Sequence, residues 1–243
     1  MKTNQSIALQ LIILVLSVFF CISLAGILTI ITFKMMGYAF LSESEITPQA
    51  YLIAGFYNQV VGFLGGFFLY LKLTKQSFYS SIKLNSIQIK KTLMVVGLLI
   101  VAYPLVEILA GFNEGLKDII PNNSFIADNE QTKMIQQKLL SDSSIELLIY
   151  KILLIGVITA FAEELIFRGV LLTKIKEASS NTHYAVIVSG LLFAIIHFQP
   201  LAILPMFFLG VVLGYLYTQT KNLAYSILFH ALFNTSTILI GYF

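Results

Sequence analysis

The sequence predicts an all-α fold, a polytopic transmembrane helical bundle of about seven membrane segments. Three observations predict it. Apolar residues make up 58% of the chain and charged residues only 11%, against about a quarter charged in an ordinary globular domain; the mean hydropathy is +0.87. The apolar residues are gathered into runs, most of them close to the roughly 20 residues that a helix needs to cross a hydrocarbon core. The lysines cluster between those runs rather than along one polar face, which reads as orientation signal and removes nucleic acid as a partner. No polar stretch is long enough to bury a soluble core of its own.

The first run, residues 7–33, is too long for a signal-peptide core and shows no small-residue cleavage site, so it is expected to remain as a helix in the lipid bilayer. It contains Cys21, the single cysteine, so no disulfide framework is available and a free thiol is expected. The second run, 50–71, carries Gly62 and Gly66 at a spacing that lets helix backbones approach closely. The next connection holds Lys72, Lys75, Lys83, Lys90 and Lys91 and no acid. Placing it in the cytoplasm puts Lys2, Lys174, Lys176 and Lys221 on the same side by alternation, with the N-terminus cytoplasmic and the C-terminus outside.

The third run, 92–111, contains Glu107 near Tyr103 and Pro104, a packing or interfacial position. The outward loop 112–144 includes DNEQTKMIQQKLLSDSS, which could form a short amphipathic helix. Four runs follow: 145–173, 184–197, 201–217 and 222–241, the sixth carrying Gly210 and Gly214 at the close-packing spacing. Residues 1–144 therefore read as accessory transmembrane helices and an outer loop. Residues 145–243 read as a four-helix core, because the intramembrane polar residues concentrate there.

A charge at mid-bilayer costs at least ~2.5 kcal/mol on insertion scales, so each one needs a partner or a task. Glu163 and Glu164 are adjacent, hence about 100° apart on a helix, and point to different faces. Arg168 is four residues beyond Glu164, so those two can neutralise each other as a supporting pair. That leaves Glu163 without a local partner and free to act on protons. LFAIIHF contributes His197 four residues after Phe193, and LFHALFN puts His230 and Asn234 one turn apart on a common face.

With ~1.5 Å of rise per residue, Glu163 lies roughly 15 Å, His197 about 20 Å and His230 about 12 Å from the cytoplasmic boundary. All three fall in one slab. The fifth run is short, so the turn His197–Pro200 is expected at membrane depth, where irregular backbone is tolerated only against protein or a hydrated cavity. A pocket enclosed by segments four to seven is the expectation. Around it, Glu163 and His197 could hold and deprotonate a water while His230 and Asn234 stabilise an oxyanion, which amounts to amide hydrolysis without a covalent intermediate. A divalent metal such as zinc could instead sit on Glu163, His197 and His230. The chain has no HExxH pair and Asn234 suits a hydrogen-bond donor, so the metal-free arrangement is placed first.

These residues resemble a known family, the CAAX-prenyl protease and bacteriocin-processing intramembrane proteases. EELIFR at 163–168 is similar to its EExxxR motif, FAIIH at 193–197 to FxxxH, and HALFN at 230–234 to HxxxN or HxxxD, over roughly residues 145–240. The resemblance implies Glu163 as catalytic carboxylate, His197 as its partner on the water, His230 and Asn234 as oxyanion donors, and Glu164 and Arg168 as support. It also implies a membrane-associated peptide or protein substrate, cleaved either by glutamate-type or by metal-dependent chemistry, and roles in peptide processing or bacteriocin immunity. A bacterial plasma membrane is the expected location. Two other classes compete: a non-catalytic immunity or scaffolding protein of the same fold, and a proton-coupled transporter using Glu107 as an extra relay. No inverted repeat supports the transporter.

Overall fold

A computed structural model describes residues 5–38, 47–115 and 144–242. Among these, regular structure is entirely helical. The membrane segments are α1 (Ile7–Met35), α2 (Pro48–Thr74), α3 (Ile89–Gly115), α4 (Ile145–Ser179), α5 (Thr182–Ile195), α6 (Ile203–Thr220) and α7 (Leu223–Tyr242). Six helical stretches are long and apolar enough to cross a membrane, α6 counted with the 3₁₀ turn before it, and α5 is a shorter apolar helix. The chain is a multi-pass membrane protein with the segment order that the apolar runs predict. The amphipathic helix expected before Ile145 falls within residues 116–143, outside the described residues.

The helix ends follow local chemistry. Hydroxyls of Ser6, Thr47 and Ser144 accept from the backbone N–H of Leu9, Ala50 and Leu147, and Asn181 Oδ1 accepts from that of Tyr184. Each satisfies a donor that a first helical turn leaves open. Lys75, Ser180 and Lys221 close α2, α4 and α6 in left-handed conformation, at φ of 55°, 54° and 52°. Asn222 ties the lysine-rich loop to the α6–α7 turn: its Oδ1 accepts from Asn85 N–H at 3.1 Å and its Nδ2 donates to Asn85 O at 3.0 Å.

The interior is largely apolar, but so is much of the outside, unlike in a water-soluble protein. Val15, Phe19, Phe20 and Ile30 of α1 are each more than 60% exposed, as side chains facing acyl chains would be, whereas Arg168 is the largest fully buried side chain. Between helices, contact depends on small residues. A Cβ at Gly66 would lie 2.7 Å from Val18 Cα, and one at Gly210 would lie 2.8 Å from Gly190 Cα, so α1–α2 and α5–α6 meet backbone to backbone.

The turn after α5 is irregular, as expected. His197 and Phe198 leave the helix, Phe198 with φ of 51°, and a 3₁₀ turn at Pro200–Ala202 leads into α6. Ala202 offers no side-chain cap to α6. Asn113, fully buried at the end of α3, fills that role: its Nδ2 donates to Pro200 O at 2.6 Å and its Oδ1 accepts from Leu204 N–H at 3.4 Å. The sequence reading assigns Asn113 to the outer loop, but α3 runs past it to Gly115.

Candidate active site

Two stretches of α4, Ile152–Ile158 and Leu165–Leu172, are π-helical, with the α-helical turn Thr159–Glu164 between them. Widened turns weaken the regular backbone ladder, and side-chain donors add hydrogen bonds to carbonyls of these turns. Thr159 Oγ1 donates to Leu154 O and Thr173 Oγ1 to Arg168 O, Ser189 Oγ of α5 donates to Phe167 O, and Asn234 Nδ2 of α7 donates to Ile155 O at 3.0 Å. The α4 backbone is thereby fixed on both sides of the glutamate pair.

Glu163 and Glu164 diverge as helix geometry requires. Glu164 is fully buried and accepts from Arg168 Nη1 at 2.7 Å, with both side chains at 0% exposure. The Arg168 guanidinium also donates through Nη2 to Gly210 O at 3.0 Å, a carbonyl of the glycine that lets α5 and α6 touch. It lies over the Phe193 ring at 4.7 Å. Glu164 Oε1 has a second partner, His230 Nδ1, at 3.0 Å. Glu164 thus holds a histidine as well as the arginine, a contact that the sequence spacing does not reveal.

Glu163 turns to the other side. His197 Nε2 lies 4.0 Å from its Oε2 and His230 Nε2 lies 3.9 Å from the same atom. His197 Nδ1 meets the Phe193 carbonyl at 2.6 Å, and because a carbonyl only accepts, Nδ1 carries the hydrogen. The Nε2 lone pair then faces Glu163. Phe193 fixes the arrangement further, packing edge-on against His197 at 4.7 Å and His230 at 5.9 Å between ring centroids.

Glu163, His197, His230 and Asn234 line one cavity of about 610 Å³. Its wall includes residues of α4, α6 and α7 and the turn after α5, in line with the expectation. It also includes α2, through Tyr51, Leu52, Gly55, Asn58 and Gln59. The second segment is the part of the wall that the sequence reading omits, although the adjacent amides Asn58 and Gln59 inside an apolar run are a visible signal. Glu107 is exposed on α3 and outside the cavity lining. His183, just before the apolar run 184–197, is the second residue of α5 and shares a hydrogen bond with Tyr215 Oη at 2.8 Å.

Glu163 Oε2 and the two Nε2 atoms are the candidate metal donors. A tetrahedral zinc with bonds of about 2.0–2.1 Å needs donors about 3.3 Å apart. The separations here are 3.9 and 4.0 Å, and no group of three or more His, Cys, Asp or Glu side chains among the described residues could hold a metal ion. The donor set does not fit a metal as it stands, and no step is assigned to one.

Residues 145–236 match the family model described as Rce1-like, type II CAAX prenyl endopeptidase. Comparison with curated proteins and with solved structures gave no match. The matched segment runs from the start of α4 almost to the end of α7 and contains all three motifs. Over residues 145–236 the chain is therefore similar to the type II CAAX prenyl endopeptidases, in the segment that carries the three motifs.

Proposed function

We propose that the protein is an intramembrane endopeptidase that cleaves a membrane-associated peptide or protein with a water activated by Glu163 and His197. The observation that carries this reading is the pair of separations around Glu163 Oε2. At 3.9 and 4.0 Å, the groups are too far apart for direct hydrogen bonds and well spaced to share one water through bonds of ~2.8 Å. A water between them donates one hydrogen to Glu163 Oε2 and the other to the lone pair of His197 Nε2.

Glu163 takes a proton from that water as its oxygen attacks the scissile carbonyl carbon, and negative charge moves onto the carbonyl oxygen. His230 Nε2–H and the N–H of Asn234 that Ile155 does not use stabilise it. Two carboxylates and one guanidinium leave the buried cluster with one excess negative charge. His230 can donate from Nε2 to the oxyanion when its imidazole carries a hydrogen on each nitrogen, the Nδ1 hydrogen going to Glu164 Oε1. Collapse of the intermediate breaks the C–N bond. Glu163 returns its proton to the departing amine, leaving an amine and a carboxylic acid, whose proton is the second hydrogen of the water and can pass to His197 Nε2.

The cavity supplies the entry of substrate into a protein whose family acts on CAAX prenyl substrates, so a lipid-anchored peptide is the first substrate to test. Purified protein is expected to cleave an internally quenched farnesylated peptide in detergent, with the rate falling by ~10²–10⁴ in Glu163→Ala and in His197→Ala. A rate equal to wild type in either variant ends the reading. Chelation should leave the rate unchanged and the purified protein should hold no stoichiometric metal; loss of activity on chelation, restored by zinc, would replace this chemistry with metal-dependent hydrolysis. In a non-catalytic scaffold, Glu163→Ala leaves the cellular phenotype intact.

A further inference from the structure

We propose that Gln59 of α2 binds the backbone of an extended peptide substrate beside the bond that is cut. The proposal rests on the protease reading and adds to it a binding residue from outside the family-matched segment.

A peptide bond can be attacked only once its carbonyl is released from helical hydrogen bonding, so a substrate at the cavity presents unpaired N–H and C=O groups. In an apolar slab each such group left alone costs several kcal/mol. The bundle has no strand edge among its described residues to pair with such a backbone. Side-chain amides and hydroxyls are what remains to receive the substrate backbone.

Gln59 meets that requirement. It lines the same cavity as Glu163, His197 and His230. The residue is 9% exposed, and its Oε1 has no hydrogen-bond partner. A buried amide oxygen without a partner costs about 1–3 kcal/mol, a penalty that a bound N–H would remove. Asn58 and Gln199 also border the cavity but are less buried than Gln59. Asn234 already donates to Ile155 O, and the reaction uses its second N–H. On the side of α2 that faces α1, Tyr57 Oη is paired with Thr32 Oγ1 at 3.0 Å; among the buried side-chain N and O atoms of α2, Gln59 Oε1 is the one without a partner, enclosed at the cavity wall, and the amide turns toward the cavity to meet a substrate N–H. Gln59 also sits within the π-helical stretch Tyr57–Leu64, and such widened turns recur at functional sites. Because a backbone N–H is common to all residues except proline, this contact selects extended conformation rather than side-chain identity.

The test compares wild type with Gln59→Leu on the internally quenched farnesylated peptide, and on peptides in which single backbone N–H groups near the scissile bond are replaced by ester oxygen. Gln59→Leu should raise KM about tenfold with kcat little changed. Its Tm should equal or exceed that of wild type, because the substitution removes an unpaired buried polar atom. One ester position should cost wild type a similar factor and cost Gln59→Leu nothing further. Wild-type KM in the variant overturns the assignment, as does an undiminished ester effect or a loss that tracks a lower Tm. A wild-type protein that cleaves none of these peptides shows instead that the protease reading has failed.

Discussion

On one face of α4 the polar groups close against each other, whereas on the next face they stand around a cavity. Glu164, Arg168 and His230 Nδ1 are joined at 2.7 and 3.0 Å with almost no exposure. Glu163 and the two Nε2 atoms are separated by 3.9 and 4.0 Å and border about 610 Å³ of space. Consecutive residues thus take opposite roles because a helix turns about 100° between them. The closed face holds the imidazole of His230 through Glu164 Oε1, while Glu164 Oε2 and Arg168 Nε have no hydrogen-bond partner. The open face leaves the three groups apart, with the space between them that the proposed water and substrate would use.

Breaking the closed face should have the largest effect on stability. Arg168→Met leaves Glu164 buried without its cation and also removes the donor to Gly210 O, so it should cost about 3–5 kcal/mol, read as a lower midpoint in thermal denaturation of the detergent-solubilised protein. Replacing both partners sharpens the contrast. Glu164→Leu with Arg168→Met exchanges a buried ion pair for apolar volume, which is often neutral or better, so most of the lost stability should return. Cleavage should stay ~10²-fold or more below wild type, because His230 Nδ1 has lost its partner. Recovery of both stability and rate would mean that the closed face does not orient the histidine.

Asn234 touches both sides of this division. One N–H holds Ile155 O in the π-helical part of α4, and the side chain borders the cavity. Asn234→Ala should lower kcat by about 10²-fold, the loss expected for one oxyanion donor, with KM nearly unchanged. A loss confined to stability would leave only the contact to α4.

The residues of the open face were legible in the sequence because a Glu, His or Arg in an apolar run has few uses, and equal depth groups those that must meet. The seven segments were legible for the same reason. What escaped depends on information that spacing does not carry. The Glu164–His230 bond joins positions 66 residues apart. The π turns of α4 shift its face and place the carbonyl that Asn234 serves, and hydropathy is blind to that register. Asn58 and Gln59 stood out only as neutral amides, so averaging over an apolar window absorbed them, and α2 was left out of the cavity wall.

The smallest expected effect tests whether the open face depends on a residue distant from it. Asn113 touches neither histidine, yet its side chain bridges Pro200 O and Leu204 N–H across the turn that follows His197. Asn113→Ala leaves the Leu204 amide in the first turn of α6 without its side-chain acceptor and Pro200 O with only the Ile203 N–H, which should cost about 1–3 kcal/mol. Asn113→Asp keeps the acceptor for Leu204 and loses the donor to Pro200, so it should retain part of that stability. If the turn sets where His197 Nε2 stands, both variants lower kcat modestly in proportion to the lost stability, because His197 Nδ1 remains tied to Phe193 and only the far side of the residue moves. An unchanged kcat in a destabilised Asn113→Ala would mean that α5 alone positions His197, and that the open face owes nothing to the end of α3.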